Sequence, residues 1–192
     1  TLNSSIEFKG VGLHTGEDVH MVIEPAKINH GVKFQRIDLE NQPTLPADIN
    51  LVTDTQRSTT LEKDNVKIVT VEHLMSALYA LGVNNVLIKL DSSEVPILDG
   101  SAKYFVEEIQ KVGLKVQDAP LKYIDLPNPI HYTDPDSGSE ILFVPTNTFI
   151  ISVVLDYQNH ALGTQYAEIR DLKNYTTEIA PCKTFVFLTE LE

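Results

Sequence analysis

The sequence predicts an α+β fold made of two-layer α/β sandwich domains, the first complete and the second truncated. Three observations predict it. Segments in which apolar and polar residues alternate open the chain. Two amphipathic helical segments follow, near 70–82 and 101–113, with the apolar run Val86-Leu87-Ile88-Lys89-Leu90 between them. A break at Ala119-Pro120 then leads into a second, strand-rich block. The boundaries are 1–119 for the first domain, with a small β insert around 41–65, and 120–192 for the beginning of the second.

Ile6 and Phe8 alternate with polar neighbours, as do Val19, Met21 and Ile23, the period of a half-buried strand. Gly10-Val11-Gly12-Leu13-His14-Thr15-Gly16 joins them. A phosphate cradle is one reading of these glycines. The run lacks the Lys-Ser/Thr ending of a P-loop and leads into a strand, so a hairpin turn is the better one. Val32 to Ile37 resumes as a strand after Asn29-His30-Gly31. From 41 to 64 the pattern weakens around Pro43 and Pro46, which reads as short strands, including Arg57-Ser58-Thr59-Thr60-Leu61.

Thr70 is placed to cap the first helix, whose apolar face carries Val71, Leu74, Met75, Leu78 and Leu81 and which ends at Gly82. Ser101 caps the second, with Ala102, Phe105, Val106, Ile109 and Val112 on its face and Gly113 as the stop. Beyond Pro120, residues 121–126, 130–132, 141–144 and 149–155 read as strands, and 165–172 adds another. Residues 174–179 form a short helix, 184–187 a strand, and Glu190-Leu191-Glu192 opens a further helix.

The chain carries 15 Lys and Arg against 27 Asp and Glu, a formal net charge of −12. That balance argues against a nucleic-acid partner and against adsorption to anionic lipid. No run approaches the roughly 20 apolar residues of a membrane helix, and no export signal opens the chain, so stable membrane insertion is not expected and a reducing cytoplasm is. Cys182 is the single cysteine, which excludes an internal disulfide and any multi-cysteine zinc module.

Thr70-Val71-Glu72-His73-Leu74 is the strongest local feature. It puts a carboxylate beside an imidazole in the first turn of a helix. A neutral imidazole is a good zinc ligand, and the carboxylate can take a proton from a water that the metal polarises. The structural alternative is that Glu72 complements the helix dipole and His73 is a surface residue, and on spacing alone that alternative carries more weight. Glu94-Val95-Pro96-Ile97-Leu98-Asp99-Gly100-Ser101 reads as a tight strand-to-helix turn in which Asp99 and Ser101 satisfy backbone donors, rather than as carboxylates lining a cleft.

Taken in order, the glycine-rich run 10–16, Thr70-Val71-Glu72-His73-Leu74 and Pro96-Ile97-Leu98-Asp99-Gly100-Ser101-Ala102 resemble the zinc-dependent UDP-3-O-acyl-N-acetylglucosamine deacetylases of lipid A biosynthesis. The likeness runs from about Ser5 to the last residues. Lys183-Thr184-Phe185-Val186-Phe187 is similar to the family's Arg-Thr-Phe-Gly-Phe segment, with lysine for arginine and Val186 for glycine. The resemblance implies a Zn²⁺ enzyme that hydrolyses the acetamide of a UDP-linked, 3-O-acylated glucosamine. It implies that Glu72 is the general base, that His73 is the first of three protein ligands to the metal, and that Thr184 lies beside the reacting carbonyl. It also implies substrate contacts from Phe185 and Tyr157, and a family histidine near the cleft at His14. Lys183 is expected to help offset the charge of the UDP group.

The family's other two ligands lie in a His-Lys-x-x-Asp pattern, which none of His20, His30, His131 and His160 begins. The resemblance therefore assigns those ligands, the general acid and the acyl-chain groove to sequence beyond Glu192, and makes catalysis depend on that segment. Two other readings stand beside it. One is a non-catalytic binding or interaction module of the same fold. The other is a deacetylase fused to a hydroxyacyl-carrier-protein dehydratase, as in some family members.

Overall fold

The structure is a computed structural model that describes residues 1–157 and 160–187. The chain forms two compact units, one of Thr1–Ala119 with the described residues from Tyr175 onward, the other Pro120–Asn174. The chain is an α+β mixture. The helix expected to open at Glu190 lies outside the described residues.

The first unit is organised by a five-stranded sheet in the order β1-β2-β8-β3-β4. Its strands are β1 (Ile6–Val11), β2 (Asp18–Pro25), β3 (Val32–Arg36), β4 (Thr44–Pro46) and β8 (Val86–Leu90). Pairing is antiparallel except between β3 and β8, whose parallel register sets Phe34 opposite Ile88. A parallel pair needs a crossover, and helix α1 (Glu72–Ala80) lies within this one. Alternate residues are buried along each strand: Ile6 and Phe8, then Val19, Met21 and Ile23, then Phe34, then Val86, Ile88 and Leu90. Helix α2 (Lys103–Val112) meets β1 through Phe105, whose ring packs edge-on against Phe8 at 5.1 Å between centroids.

The weak stretch between the strands and α1 divides in two. Residues 44–46 pair with β3 and widen the main sheet. A separate three-stranded sheet is made by β5 (Val52–Asp54), β6 (Thr60–Lys63) and β7 (Val66–Ile68), so the insert sheet covers 52–68 rather than 41–65. Arg57 to Thr59 lie outside any strand. The nearly buried Arg36 holds this insert to β3, donating to the Lys67 carbonyl at 3.1 Å and gripping Asp38 through two nitrogens.

Helix α1 buries Leu74, Ala77 and Leu78, and α2 buries Phe105, Val106 and Ile109. Ala77 thus takes the fully buried position expected of Met75, which is half-buried. Ser101 does capture a free amide at the start of α2, accepting from Lys103 N at 3.2 Å, although Ala102 holds the cap position. Gly113 closes that helix at φ 73°, the left-handed region that glycine enters without penalty.

The second unit holds two hairpins, β9 (Ile130–Thr133) with β10 (Glu140–Phe143) and β11 (Ile151–Asp156) with β12 (Thr164–Ile169). Residues 121–126, expected as a strand, have no strand pairing. Residues 175–179 form a π-helical turn where a short helix was expected, and 184–187 are not a strand. A strand needs a partner to accept its backbone, and the amide of Thr184 instead bonds the Gly100 carbonyl at 2.9 Å.

One buried carboxylate ties three segments of the first unit together. Glu94 has no solvent exposure and accepts hydrogen bonds from four donors. They are the amides of His14 (3.1 Å) and Thr15 (2.9 Å), the Thr15 hydroxyl (2.9 Å) and the Thr70 hydroxyl (2.7 Å). The backbone on either side is pinned too, with Val95 N donating to Val69 O at 3.0 Å and Ile97 N to Val11 O at 3.1 Å. Gly12 is dictated by the same contact, because a Cβ there would lie 2.4 Å from Glu94 Oε2 and 2.3 Å from Thr15 Oγ1.

Burial pushes the Glu94 carboxyl up, but the Thr70, Thr15 and His14 donors outweigh it and hold the group below the usual carboxylate range. Its folded value is then lower than its unfolded one, so its contribution to stability is complete above the unfolded value of about 4.3. It is lost as pH falls through the folded value. Glu94→Gln turns an amide donor toward N–H and O–H donors and is expected to cost about 1–3 kcal/mol at neutral pH. Urea unfolding at a series of pH values should show the parent and Glu94→Gln converging in acid; a gap that stays constant contradicts this account. Gly12→Ala should destabilise by about 1–3 kcal/mol in the same assay, as overpacking does.

Candidate active site

The first turn of α1 is positioned by what precedes it. Thr70 has φ 59°, a left-handed conformation rare for a β-branched residue. Its hydroxyl is committed to Glu94, so it does not cap the helix as the sequence led us to expect. Val71 holds the cap position without a side-chain bond. The helix start is served from the insert instead, since Val71 N donates to Thr59 O at 3.4 Å.

Glu72 is half-buried, and its Oε2 accepts the Thr59 amide at 3.0 Å. Its Oε1 has no hydrogen-bond partner among the described residues, which leaves one oxygen open to accept a proton. His73 is also half-buried, and its ring has no hydrogen bond or ion pair among the described residues. An imidazole so placed has a nitrogen lone pair to offer a metal.

The segment from Tyr175 onward returns to this helix. Tyr175 is buried, and its hydroxyl lies 2.6 Å from Ser76 Oγ. Ser76 spends its one proton on the His73 carbonyl at 2.8 Å, so Tyr175 is the donor of the pair. Burial pushes the Tyr175 phenol above its ordinary value, in keeping with a neutral donor. Further along, Ala102 N donates to Ala180 O at 3.0 Å, and Lys183 Nζ lies 3.5 Å from Asp99 Oδ2. The Asp99 carboxyl is held below the usual range by the Ser101 hydroxyl first, and by Ser101 N–H and Lys183 beyond it, against burial. As the turn reading expected, Asp99 accepts from both the amide and the hydroxyl of Ser101.

Glu72, His73, Lys183, Thr184 and Phe185 therefore belong to one compact unit, and Tyr157 belongs to the other. Thr184 and Phe185 are exposed, with the Phe185 ring edge-on to Phe187 at 5.7 Å. Tyr157 is half-buried and its amide donates to Gly163 O at 3.3 Å. His14 is exposed at the lip of a cleft of about 480 Å³ that Thr53, Gln56, Ser58 and Thr60 also line. The glycine-rich run is a hairpin loop, closed by Gly16 N donating to Gly12 O at 3.0 Å.

The sequence reading missed Thr59, Ser76 and Tyr175, whose roles arise from contacts between segments far apart in the chain. Glu94 left a signal: a carboxylate followed by Val95-Pro96 in an apolar stretch is headed for burial and needs several donors. Among the described residues no group of three or more His, Cys, Asp or Glu side chains is arranged to hold a metal. His73 fits one position of a ligand set and the described residues do not complete it.

Among those residues no helix is long and apolar enough to cross a membrane. Over 192 residues the chain is 45% identical to a bifunctional enzyme LpxC/FabZ of Bacteroides thetaiotaomicron, covering all of this chain and 42% of that protein. A protein of the same name in Porphyromonas gingivalis is 41% identical over the whole chain, again across 42% of its own length. The UDP-3-O-acyl-N-acetylglucosamine deacetylase of Chromohalobacter salexigens is 38% identical, with all of this chain matching 64% of it. The chain thus spans less than two thirds of the length of these relatives. The family model described as LpxC, UDP-3-O-acyl N-acetylglycosamine deacetylase, matches residues 1–192, and on that match this chain belongs to that family.

Proposed function

We propose that this chain is the N-terminal part of a zinc-dependent deacetylase that removes the N-acetyl group from UDP-3-O-acyl-N-acetylglucosamine in lipid A biosynthesis. The observation that carries the reading is the adjacent pair on α1: a carboxylate with one oxygen anchored to Thr59 N and, among the described residues, one open, beside an imidazole with no hydrogen-bond partner among those residues. Zn²⁺, when bound, would polarise the acetamide carbonyl and make water acidic enough to attack near neutral pH. His73 would be one of its protein ligands, with two more from sequence outside these 192 residues. Glu72 takes the proton of the attacking water on Oε1, while the Thr59 amide on Oε2 keeps the carboxylate aimed. Thr184 offers a hydroxyl to the oxyanion, and its backbone is fixed by Gly100.

Phe185 and Tyr157 pack on the sugar and the nucleotide base. Lys183 serves the charge of the UDP group. Its ammonium is exposed, and a surface pairing such as the one it makes with the half-buried Asp99 is worth only about 0–1 kcal/mol, so the ammonium can turn to a phosphate. Each domain is proposed to be a two-layer sandwich, the first of residues 1–119 and the second beginning at 120. The alternate burial along β1, β2 and β8 and the Phe8–Phe105 contact support the first. In the second unit Ile130, Tyr132, Leu142, Val154 and Tyr166 are exposed on two-stranded hairpins, which are marginal alone, so its core is proposed to be completed by further chain. The names of two relatives as bifunctional enzymes favour a second activity in the same polypeptide, as a dehydratase fusion would have. A cytoplasmic location is proposed with this reading.

The test separates the two residues of the pair in the complete enzyme. Glu72→Gln keeps shape and zinc and should lower turnover on the order of 10²–10⁴-fold. His73→Ala should lower zinc affinity, with activity recovering in part at high zinc. Near-normal turnover in zinc-loaded Glu72→Gln would overturn Glu72 as the general base, whereas absence of turnover in the complete parent enzyme would favour the non-catalytic module. Truncating Tyr157 or Phe185 to alanine should raise KM several-fold to about tenfold, since aromatic stacking adds about 0.5–1.5 kcal/mol. Unchanged steady-state kinetics in both variants would reduce these rings to packing.

A further inference from the structure

We propose that Thr70 and Glu94 are positioning residues of the deacetylase site: their hydrogen bond sets the direction from which the first turn of α1 presents Glu72 and His73, and couples that turn to the loop bearing His14. The proposal rests on the reading of Glu72 and His73 given above.

Thr70 occupies φ 59°, where a β-branched residue is strained, and it is 2% exposed. Strain of this kind persists only where surrounding contacts over-determine it. Those contacts are present. The Thr70 hydroxyl donates to Glu94 Oε1 at 2.7 Å, while the backbone before it is bridged to residues 93–95 through Val69 N to Ser93 O (2.8 Å) and Val95 N to Val69 O (3.0 Å). The chain then turns at Thr70 and enters α1 two residues later. Releasing the hydroxyl lets φ relax toward the ordinary negative range and swings the helix start, because the turn is the hinge between a fixed strand and the helix.

The same carboxylate holds the amides of His14 and Thr15 and the Thr15 hydroxyl. With four donors aimed at it, Glu94 is an acceptor on both oxygens and has no lone pair left for chemistry of its own. It acts through the groups it holds. A shift at Thr70 is therefore passed to the His14 loop, and a shift of that loop is passed to Thr70. Displacements of about 1 Å at a catalytic group cost on the order of a hundredfold in rate.

The experiment uses the complete, zinc-loaded enzyme and the UDP-linked acylated amino sugar as substrate, with Glu72→Gln measured in parallel. Thr70→Val removes the hydroxyl at constant shape and should lower kcat about a hundredfold, with KM within about threefold and zinc retained. Thr70→Ser keeps the hydroxyl and should restore kcat to within about threefold of the parent. If circular dichroism shows that Thr70→Val does not fold, Thr70→Ala carries the test, since alanine lacks both the hydroxyl and the β-branch yet keeps a Cβ that disfavours positive φ. The same hundredfold loss is expected of it. Parental kcat in a folded Thr70→Val or Thr70→Ala, with only the melting temperature lowered, overturns the proposal and leaves the bond as structural. Loss of kcat in Thr70→Ser equal to that in Thr70→Val overturns it as well. Persistent turnover in Glu72→Gln would instead overturn Glu72 as the general base, and absence of turnover in the parent enzyme would overturn the deacetylase reading, whatever the Thr70 variants do.

Discussion

A charge taken out of water must be met by donors, and the buried carboxylate of Glu94 shows what meeting it demands of the rest of the unit. Four donors converge on it from the 12–16 loop and from Thr70. Supplying them fixes Gly12, because any side chain there would fill the space of the carboxylate. It also fixes Thr70 in a conformation that this residue rarely adopts. A buried ion pair or carboxylate is not in itself a large source of stability, since its desolvation offsets most of its attraction. Its effect is on specificity. The arrangement of the three segments seen here satisfies the charge, and an arrangement that left it unmet would cost several kcal/mol.

Helix α1 is short, and three contacts from outside help to determine its place. Thr59 holds Glu72 from the insert, Glu94 holds the turn that precedes the helix, and Tyr175 reaches Ser76 one turn further on. A helix of nine residues has little stability alone, so its position is set by tertiary contacts rather than by propensity. The insert sheet thereby acquires a role. Its attachment through Arg36 to Lys67 O keeps Thr59 where the Glu72 carboxylate needs an amide. Shape at the site therefore depends on residues that would be passed over in a search for catalytic side chains.

What was legible in the sequence follows the range of the interactions. The strands at 6–11, 18–25, 32–36 and 86–90 announce themselves because one buried face imposes a period of two. The helices do so through their apolar stripe. The carboxylate-histidine pair stood out only in company with the other motifs, since a Glu-His step at a helix start is ordinary. Thr70 misled because threonine before a helix is a good cap in isolation, and the competing acceptor, Glu94, is 24 residues away. Residues 121–126 and 184–187 look like strands by composition and lack the pairing that makes one. The insert was placed early because Thr44–Pro46, a three-residue segment that follows one proline, ends in another and buries only Leu45, joins the main sheet as an edge, where proline is tolerated.

A division of labour runs through the unit. Of the residues proposed to meet substrate, Lys183, Thr184 and Phe185 in this unit are exposed, as is the cleft residue His14. The residues that place them are buried: Glu94 and Ser101 have no exposure, Thr70 2% and Tyr175 5%. The physical reason is that a hydrogen bond in water competes with water and holds nothing firmly, whereas the same bond in a low-dielectric interior is strong and costly to lose. A site that admits a large, charged substrate, as proposed for this one, leaves contact residues open to solvent. It can bury the next layer. Thr184 illustrates the arrangement, with its side chain outside and its amide bonded to the carbonyl of Gly100, whose neighbours Asp99 and Ser101 satisfy each other. Precision at an open surface is thereby drawn from closed contacts one residue behind it.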